Sequence, residues 1–231
     1  MIKVLFIDID NTLLSFTEYV KQTMREGLLH FDLPAYEDWM FTEFERINGG
    51  LWRQIEEGTL IFEELVKIRW NRIFDALGIS FDGTVFEDYF REELFDNAIP
   101  EPGAGELLSY LSARYPLCAA SNGPYEQQLN RLRVAGMQEH FTHFFISSRF
   151  GVSKPGKEYF DRCFSELHEN GFPGLKPEEV MIIGDSITAD IAGGKSYGLR
   201  TCLYTRGETS KKPVPEADFI VAELAEIREI L

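Results

Sequence analysis

Apolar positions follow two different rhythms along this chain. Short, nearly continuous apolar runs fall at 3–9, 116–121, 143–147, 180–184, 200–204 and 218–221. Such runs suit strands buried on both faces. Between them the spacing lengthens to a helical period over 104–114, 124–136, 156–170 and 188–197, with Gly136, Gly171 and Gly198 as stop signals. Strands alternating with helices predict an α/β fold, a parallel sheet covered on both faces. The stretch from 15 to 97 reads differently, as four or five helical segments without a convincing strand. Amphipathic patterns run through 17–31, 36–48 and 59–77, and Gly49-Gly50, Gly58 and Gly78 punctuate them. Tyr36, Trp39, Phe41 and Phe44 are expected as a stripe between these helices. The predicted plan is therefore a core of residues 1–14 and 98–231 with a helical insert over 15–97. Ile99-Pro100-Glu101-Pro102-Gly103 is a stiff, turn-forming junction suited to a hinge. Lys211-Lys212-Pro213-Val214-Pro215 reads as a surface loop.

Composition adds limits. A chain of 231 residues, 44% apolar and 26% charged, can bury a sizeable core with a smaller insert. Its formal net charge of -15 argues against nucleic-acid polymers as partners, since no basic stripe exists to displace counterions. A small anionic substrate would also meet mild repulsion, so a phosphate site needs local attraction from a divalent cation and a placed lysine. Cys118, Cys163 and Cys202 are far apart and form no CxxC pair, which fits a reducing cytoplasm. The first residues reach Asp8 too early for a signal peptide, and no apolar run approaches the roughly 20 residues of a membrane helix. A monomer or homodimer is expected.

Candidate chemistry clusters just after the predicted strands, where open parallel sheets place their sites. Asp8 and Asp10 stand two apart on an extended segment, so their carboxyls should converge and divide the roles of nucleophile and proton carrier. Ser121-Asn122-Gly123-Pro124 offers a hydroxyl and backbone N–H groups at a helix start. Lys154 precedes Pro155, which is expected in the first turn of the next helix. Asp185 ends a very apolar strand, and Asp190 should face back toward it from an early helical turn. Oxygen ligands of this kind suit Mg²⁺. Each feature alone has a plainer reading as a helix cap, a turn or a surface lysine.

Taken together, Asp8-x-Asp10-x-Thr12, Ser121, Lys154-Pro155 and Gly184-Asp185…Asp190 resemble the four motifs of the haloacid dehalogenase-like (HAD) hydrolases. The resemblance spans essentially the whole chain. It implies a Rossmann-like core with an inserted C1-type helical cap. It also implies Asp8 as nucleophile, Asp10 as general acid/base, and Ser121, Asn122 and Lys154 at the phosphate. Asp8, the Asp10 backbone carbonyl and Asp185 would hold Mg²⁺, with Asp190 supporting the ion directly or through water. An acid at position 10 favours phosphoryl transfer over dehalogenation, because a departing halide needs no proton. Phosphomutases carry the same acid, and a core retained only as a binding module is the non-enzymatic alternative.

Within the insert, the segment from Ile47 to Leu60 resembles the Asn-x-x-Leu-Trp…Glu-x-Gly signature of bacterial house-cleaning 5′-nucleotidases. Ser121-Asn122-Gly123 and Asp190-Ile191-x-Gly193-Gly194 agree with that subfamily. The implied substrate is a nucleoside 5′-monophosphate, with another small phosphorylated metabolite, such as a sugar or glycolate phosphate, as the alternative. Trp52 and Phe16 are candidates to stack on a base, and Asn48 and Glu57 to read its polar edges. Their plainer roles are packing for the rings and, for Asn48 and Glu57, support of a glycine-rich bend. His140 and His143 lack the cysteine or acid that would complete a soft-metal site.

Overall fold

Every apolar run becomes a strand of one sheet: β1 (Val4–Ile7), β2 (Leu117–Ser121), β3 (His143–Ile146), β4 (Val180–Gly184), β5 (Arg200–Tyr204) and β6 (Phe219–Val221). The computed structural model describes residues 1–207 and 214–231, so Lys211, Lys212 and Pro213 of the expected loop lie outside the described residues. Helices α1 (Phe16–His30), α2 (Asp38–Glu56), α3 (Phe62–Leu77) and α4 (Gly83–Asp96) follow β1. The remainder are α5 (Ala104–Ser112), α6 (Tyr125–Val134), α7 (Ser147–Phe150), α8 (Lys157–Glu169), α9 (Gly193–Tyr197) and α10 (Ile227–Ile230).

The strand order is β3-β2-β1-β4-β5-β6 and every pairing is parallel. Strand β1 shows why its sequence is apolar throughout. Leu5 and Ile7 enter one core cluster, with Leu117, Ala119, Met181 and Ile183. Val4 and Phe6 enter the other, with Cys118, Ala120, Val180 and Ile182. Alternate residues thus face opposite layers, and both layers are apolar. The register sets Ile7 beside Ala119 of β2 and Ile183 of β4, which brings the carboxyl ends of three strands together. The chain leaves β1 toward β2 and β3 on one side, then returns to add β4 on the other. The crevice at that switch is where ligands of parallel α/β sheets bind.

The chain separates into two compact units, Met1–Ser15 with Ala98–Leu231, and Phe16–Asn97. The first closes on itself where Ser15 N donates to Ile99 O (2.7 Å) and Glu101 N to Leu13 O (2.8 Å).

The helical unit has an aromatic centre of Tyr19, Phe44, Trp70, Phe74, Phe86 and Phe90, all buried. Among them Arg69 and Glu87 form a buried ion pair at 2.5 Å, and Arg69 Nη1 also donates to Asn48 Oδ1 at 3.3 Å. Two expectations fail here. Gly49-Gly50 does not punctuate: α2 continues through it to Glu56. The buried face Met40, Phe41, Phe44, Asn48 and Leu51 keeps a helical spacing across the glycines. Packing along that face outweighs the glycine penalty of about 1 kcal/mol per residue. The aromatic stripe is also shorter than expected, since Tyr36 precedes α2 and Trp39 is 47% exposed, leaving Phe41 and Phe44 inside.

Candidate active site

Strand pairing carries one residue beyond β1, where Asp8 N donates to Ile183 O (2.9 Å) and fixes the aspartate at the sheet's carboxyl edge. The chain then turns. Leu13 N and Leu14 N both donate to Ile9 O at 2.9 Å, and Asn11 takes a left-handed φ of 59°, which asparagine tolerates. Buried Ile9, Leu13 and Leu14 anchor this loop, and Thr12 Oγ1 donates to Asp8 Oδ2 at 3.3 Å.

Lys154 is the hub. Only 1% exposed, its ammonium donates to Asp8 Oδ1 (2.8 Å), Asp190 Oδ1 (2.6 Å) and Ala120 O (2.5 Å). Its backbone is held as firmly. Asn122 Nδ2 donates to Lys154 O (2.8 Å), and Lys154 N donates to Asn122 Oδ1 (2.9 Å). Asn122, expected at the phosphate, thus uses both ends of its amide as a clamp on the lysine. Pro155 stands two residues ahead of α8 and outside its first turn, because α8 begins at Lys157.

Asp190 lies in a π-helical turn, Ile187–Ala192, capped where Ser186 Oγ accepts from Ala189 N at 3.0 Å. The wider turn points the Asp190 carboxylate back to accept from Ser186 N at 3.1 Å. A Cβ on Gly184 would overlap that carboxylate, so the residue before Asp185 must be glycine.

Burial raises the Asp8 carboxyl well above its ordinary range; Lys154 opposes this, while Asp190 and Asp185 add to it. Asp185 keeps part of its surface open, yet desolvation and then Asp190 push it up to about 7 against Arg206 and Lys154. Burial alone would lower the Lys154 ammonium, but Asp190 and Asp8 outweigh it and hold it above the usual lysine range.

Oxygens of Asp8, Asp185 and Asp190 lie within 4.8 Å of one another. Three crowded carboxylates with one bonded ammonium carry a surplus of negative charge. Their oxygen-only chemistry, and the raised proton affinity of Asp8 and Asp185, fit a hard divalent cation such as Mg²⁺. The Asp10 carboxylate has its own donors. It accepts from Arg131 Nη1 at 2.5 Å and from Gln128 Nε2 at 2.6 Å, partners separate from those of Asp8. Ser121 Oγ accepts from Gly123 N (3.1 Å) and Gln128 Nε2 (2.8 Å), which leaves its own proton to donate.

Gln128 and Arg131 were not among the residues expected at the site. The only signal was their place in the 124–136 pattern, on the helix face that also carries Leu132. Asp8, Asp10, Ser121, Lys154, Asp185 and Asp190 come together in the α/β unit. The four candidates from the helical unit have differing surroundings. Phe16 packs on Tyr19, Phe44 and Phe90, and Asn48 bonds to Arg69. Trp52 is half-buried with its ring 6.0 Å from Phe62, and Glu57 is exposed at the end of α2. His140 Nδ1 bonds to Ser112 Oγ at 2.9 Å, and burial raises the Cys118 thiol.

A parallel α/β core ending in a lysine-bridged carboxylate cluster fits a hydrolase of the haloacid dehalogenase-like class. The haloacid dehalogenase-like hydrolase family pattern matches residues 2–198, and the chain belongs to that family. It is 32% identical over 229 residues to the HAD-hydrolase YfnB of Bacillus subtilis (strain 168), covering 99% of this chain and 95% of that protein. Pyrimidine 5′-nucleotidase PynA of Streptococcus pneumoniae (strain ATCC BAA-255 / R6) is 32% identical over 87% of this chain and 83% of its own. Pyrimidine 5′-nucleotidase YjjG of Escherichia coli (strain K12) is 25% identical over 98% and 96%. The crystal structure of YfnB bound to magnesium superposes with a TM-score of 0.87 at 33% identity, covering 100% of this chain and 98% of that one.

Proposed function

We propose that this protein is a Mg²⁺-dependent hydrolase of phosphate monoesters that works through an aspartyl-phosphate on Asp8, and that its substrates are nucleoside 5′-monophosphates. The observation that carries the reading is the buried bridge from Lys154 to Asp8 and Asp190 at the end of the central strand. It holds a nucleophilic oxygen beside a cation able to balance a phosphoryl group.

In the first step an Asp8 oxygen bonds to phosphorus as the ester P–O bond breaks, and a proton from Asp10 passes to the departing alcohol. In the second, Asp10 takes a proton from water, whose oxygen bonds to phosphorus as the Asp8–P bond breaks. Inorganic phosphate leaves, and both aspartates regain their starting states. Ser121 donates its hydroxyl proton to a phosphate oxygen, and Lys154 offsets the transferred charge. Asp8 and Asp185, with Asp190 in support, would hold Mg²⁺, which supplies charge neutralisation at the phosphoryl oxygens when bound. The nucleotide rests on the likeness to PynA and YjjG and on the Asn48–Gly58 signature. Three buried free thiols, Cys118, Cys163 and Cys202, suit a cytoplasmic setting, and among the described residues no helix is long and apolar enough to cross a membrane.

The test is phosphate release from a panel of nucleotides and sugar phosphates, with Mg²⁺ and with EDTA. Turnover of pyrimidine monophosphates that stops in EDTA is expected. Activity surviving EDTA would overturn the metal requirement, and turnover of sugar phosphates alone would overturn the nucleotide. Trp52→Ala should raise KM for a nucleotide more than for p-nitrophenyl phosphate; equal changes would return Trp52 to a packing role.

A further inference from the structure

Helix α6 buries an unexpected face. Its covered residues are Gln128, Arg131 and Leu132, and the first two are 0% and 1% exposed. A buried guanidinium is strongly unfavourable unless it is paired and fully hydrogen-bonded. Its partner here is Asp10, whose side chain keeps 33% exposure at the site while Arg131 keeps 1%. Arg131 Nη1 donates to Asp10 Oδ1 at 2.5 Å and to Gln128 Oε1 at 3.0 Å. Gln128 Nε2 has two protons and two acceptors, Asp10 Oδ2 at 2.6 Å and Ser121 Oγ at 2.8 Å. Gly123 leaves room for this, since a Cβ there would come within 2.6 Å of Gln128 Nε2.

We propose that Gln128 and Arg131 are positioning residues for the proton-transfer group, holding the Asp10 carboxyl in fixed relation to the phosphate-facing hydroxyl of Ser121. This rests on the phosphatase reading above. Each carboxyl oxygen has two lone-pair directions. α6 occupies one on each, so the other remains for the proton that moves to and from substrate. The bonding pattern of Gln128 explains why the device spans two groups. One amide nitrogen sets both the direction of the Asp10 carboxyl and the direction in which Ser121 can donate. Neither Gln128 nor Arg131 needs to touch the substrate.

The experiment compares kcat/KM for phenyl phosphate and p-nitrophenyl phosphate with Mg²⁺ present. This quantity reports the step in which the leaving group departs, and nitrophenolate needs a proton far less than phenolate. Asp10→Asn is the reference and should lose about 10²-fold or more on phenyl phosphate, with a smaller loss on the nitro ester. Gln128→Met and Arg131→Met should show the same selectivity, with phenyl phosphate losing at least about tenfold more. Arg131→Lys should recover part of it. Equal losses on both esters in the two Met variants, alongside a selective Asp10→Asn, would overturn the positioning role and leave the phosphatase reading standing. Equal losses in Asp10→Asn itself would overturn the proton role of Asp10, and the proposal with it. Thermal unfolding checks each variant. Should Arg131→Met fail to fold, Gln128→Met decides, because it keeps the Arg131–Asp10 ion pair.

Discussion

Lys154 has three protons, and each finds an acceptor: two carboxylates and the carbonyl of Ala120. Removing that charge should therefore act twice. Lys154→Met leaves Asp8 and Asp190 buried without their cation, a change expected to cost about 3–5 kcal/mol. For a chain of this size each kcal/mol lowers Tm by roughly 2–4 °C, measurable by thermal unfolding in EDTA. Catalysis should fall further, by about 10²–10³-fold in kcat, as expected for loss of one donor to a developing anion. A variant as stable as the parent would mean that the two carboxylates do not depend on this lysine. Asn122 belongs to the same account. It sits next to Ser121 in sequence, so its place at the site was legible, but its two bonds to Lys154 were not. Its side-chain amide grips the backbone of a residue 32 positions away, and no local pattern encodes that pairing.

At the level of elements, the six strands were readable because burial on both faces leaves an uninterrupted apolar run, the plainest signal a sequence carries. The site acids were readable for a related reason: each stands within a few residues of such a run. Arg131 and Gln128 lie 121 and 118 residues from Asp10, and a polar helix face has the same composition whether it meets water or a carboxylate. Glycines proved ambiguous. Gly49 and Gly50 looked like breaks and sit inside α2, where an added Cβ would meet nothing within 4 Å. Gly184 looked like part of a motif and is a steric necessity. Gly184→Ala should push the Asp190 carboxylate off Ser186 N and Lys154, costing about 1–3 kcal/mol as an overpacked core does. Weaker Mg²⁺ binding by calorimetry should accompany the lower Tm; unchanged affinity would separate Asp190 from the metal.

Over the molecule as a whole, a formal charge of -15 makes an anionic substrate unwelcome at long range. The site answers with charge at short range, and protons and Mg²⁺ should compete for it. Asp185 is pushed from an ordinary 3.8 up to about 7, and Asp8 is raised in the same direction. For such groups the folded state binds protons more tightly than the unfolded one. Their contribution to stability is complete below about pH 4 and is lost as pH rises toward 7. An ion that needs both groups deprotonated should then stabilise more as pH increases. At Mg²⁺ a hundred times its Kd, the gain approaches about 2.7 kcal/mol. The rise in Tm on adding Mg²⁺ should therefore be small at pH 5 and several degrees at pH 8. A rise independent of pH would show that these acids do not take up the ion.

Strand β1 also works as a counter. Odd-numbered Leu5 and Ile7 face one layer of the core and even-numbered Val4 and Phe6 the other, and Asp8 continues the even series toward Lys154. Sliding β1 by one residue would move its end by about 3.3 Å and exchange the two faces. Parity, more than composition, puts a carboxylate beside the lysine. Deleting a single residue between Val4 and Ile7 would leave the rest of the strand apolar, yet it would turn Ile9 toward Lys154 and Asp8 into the opposite, hydrocarbon layer.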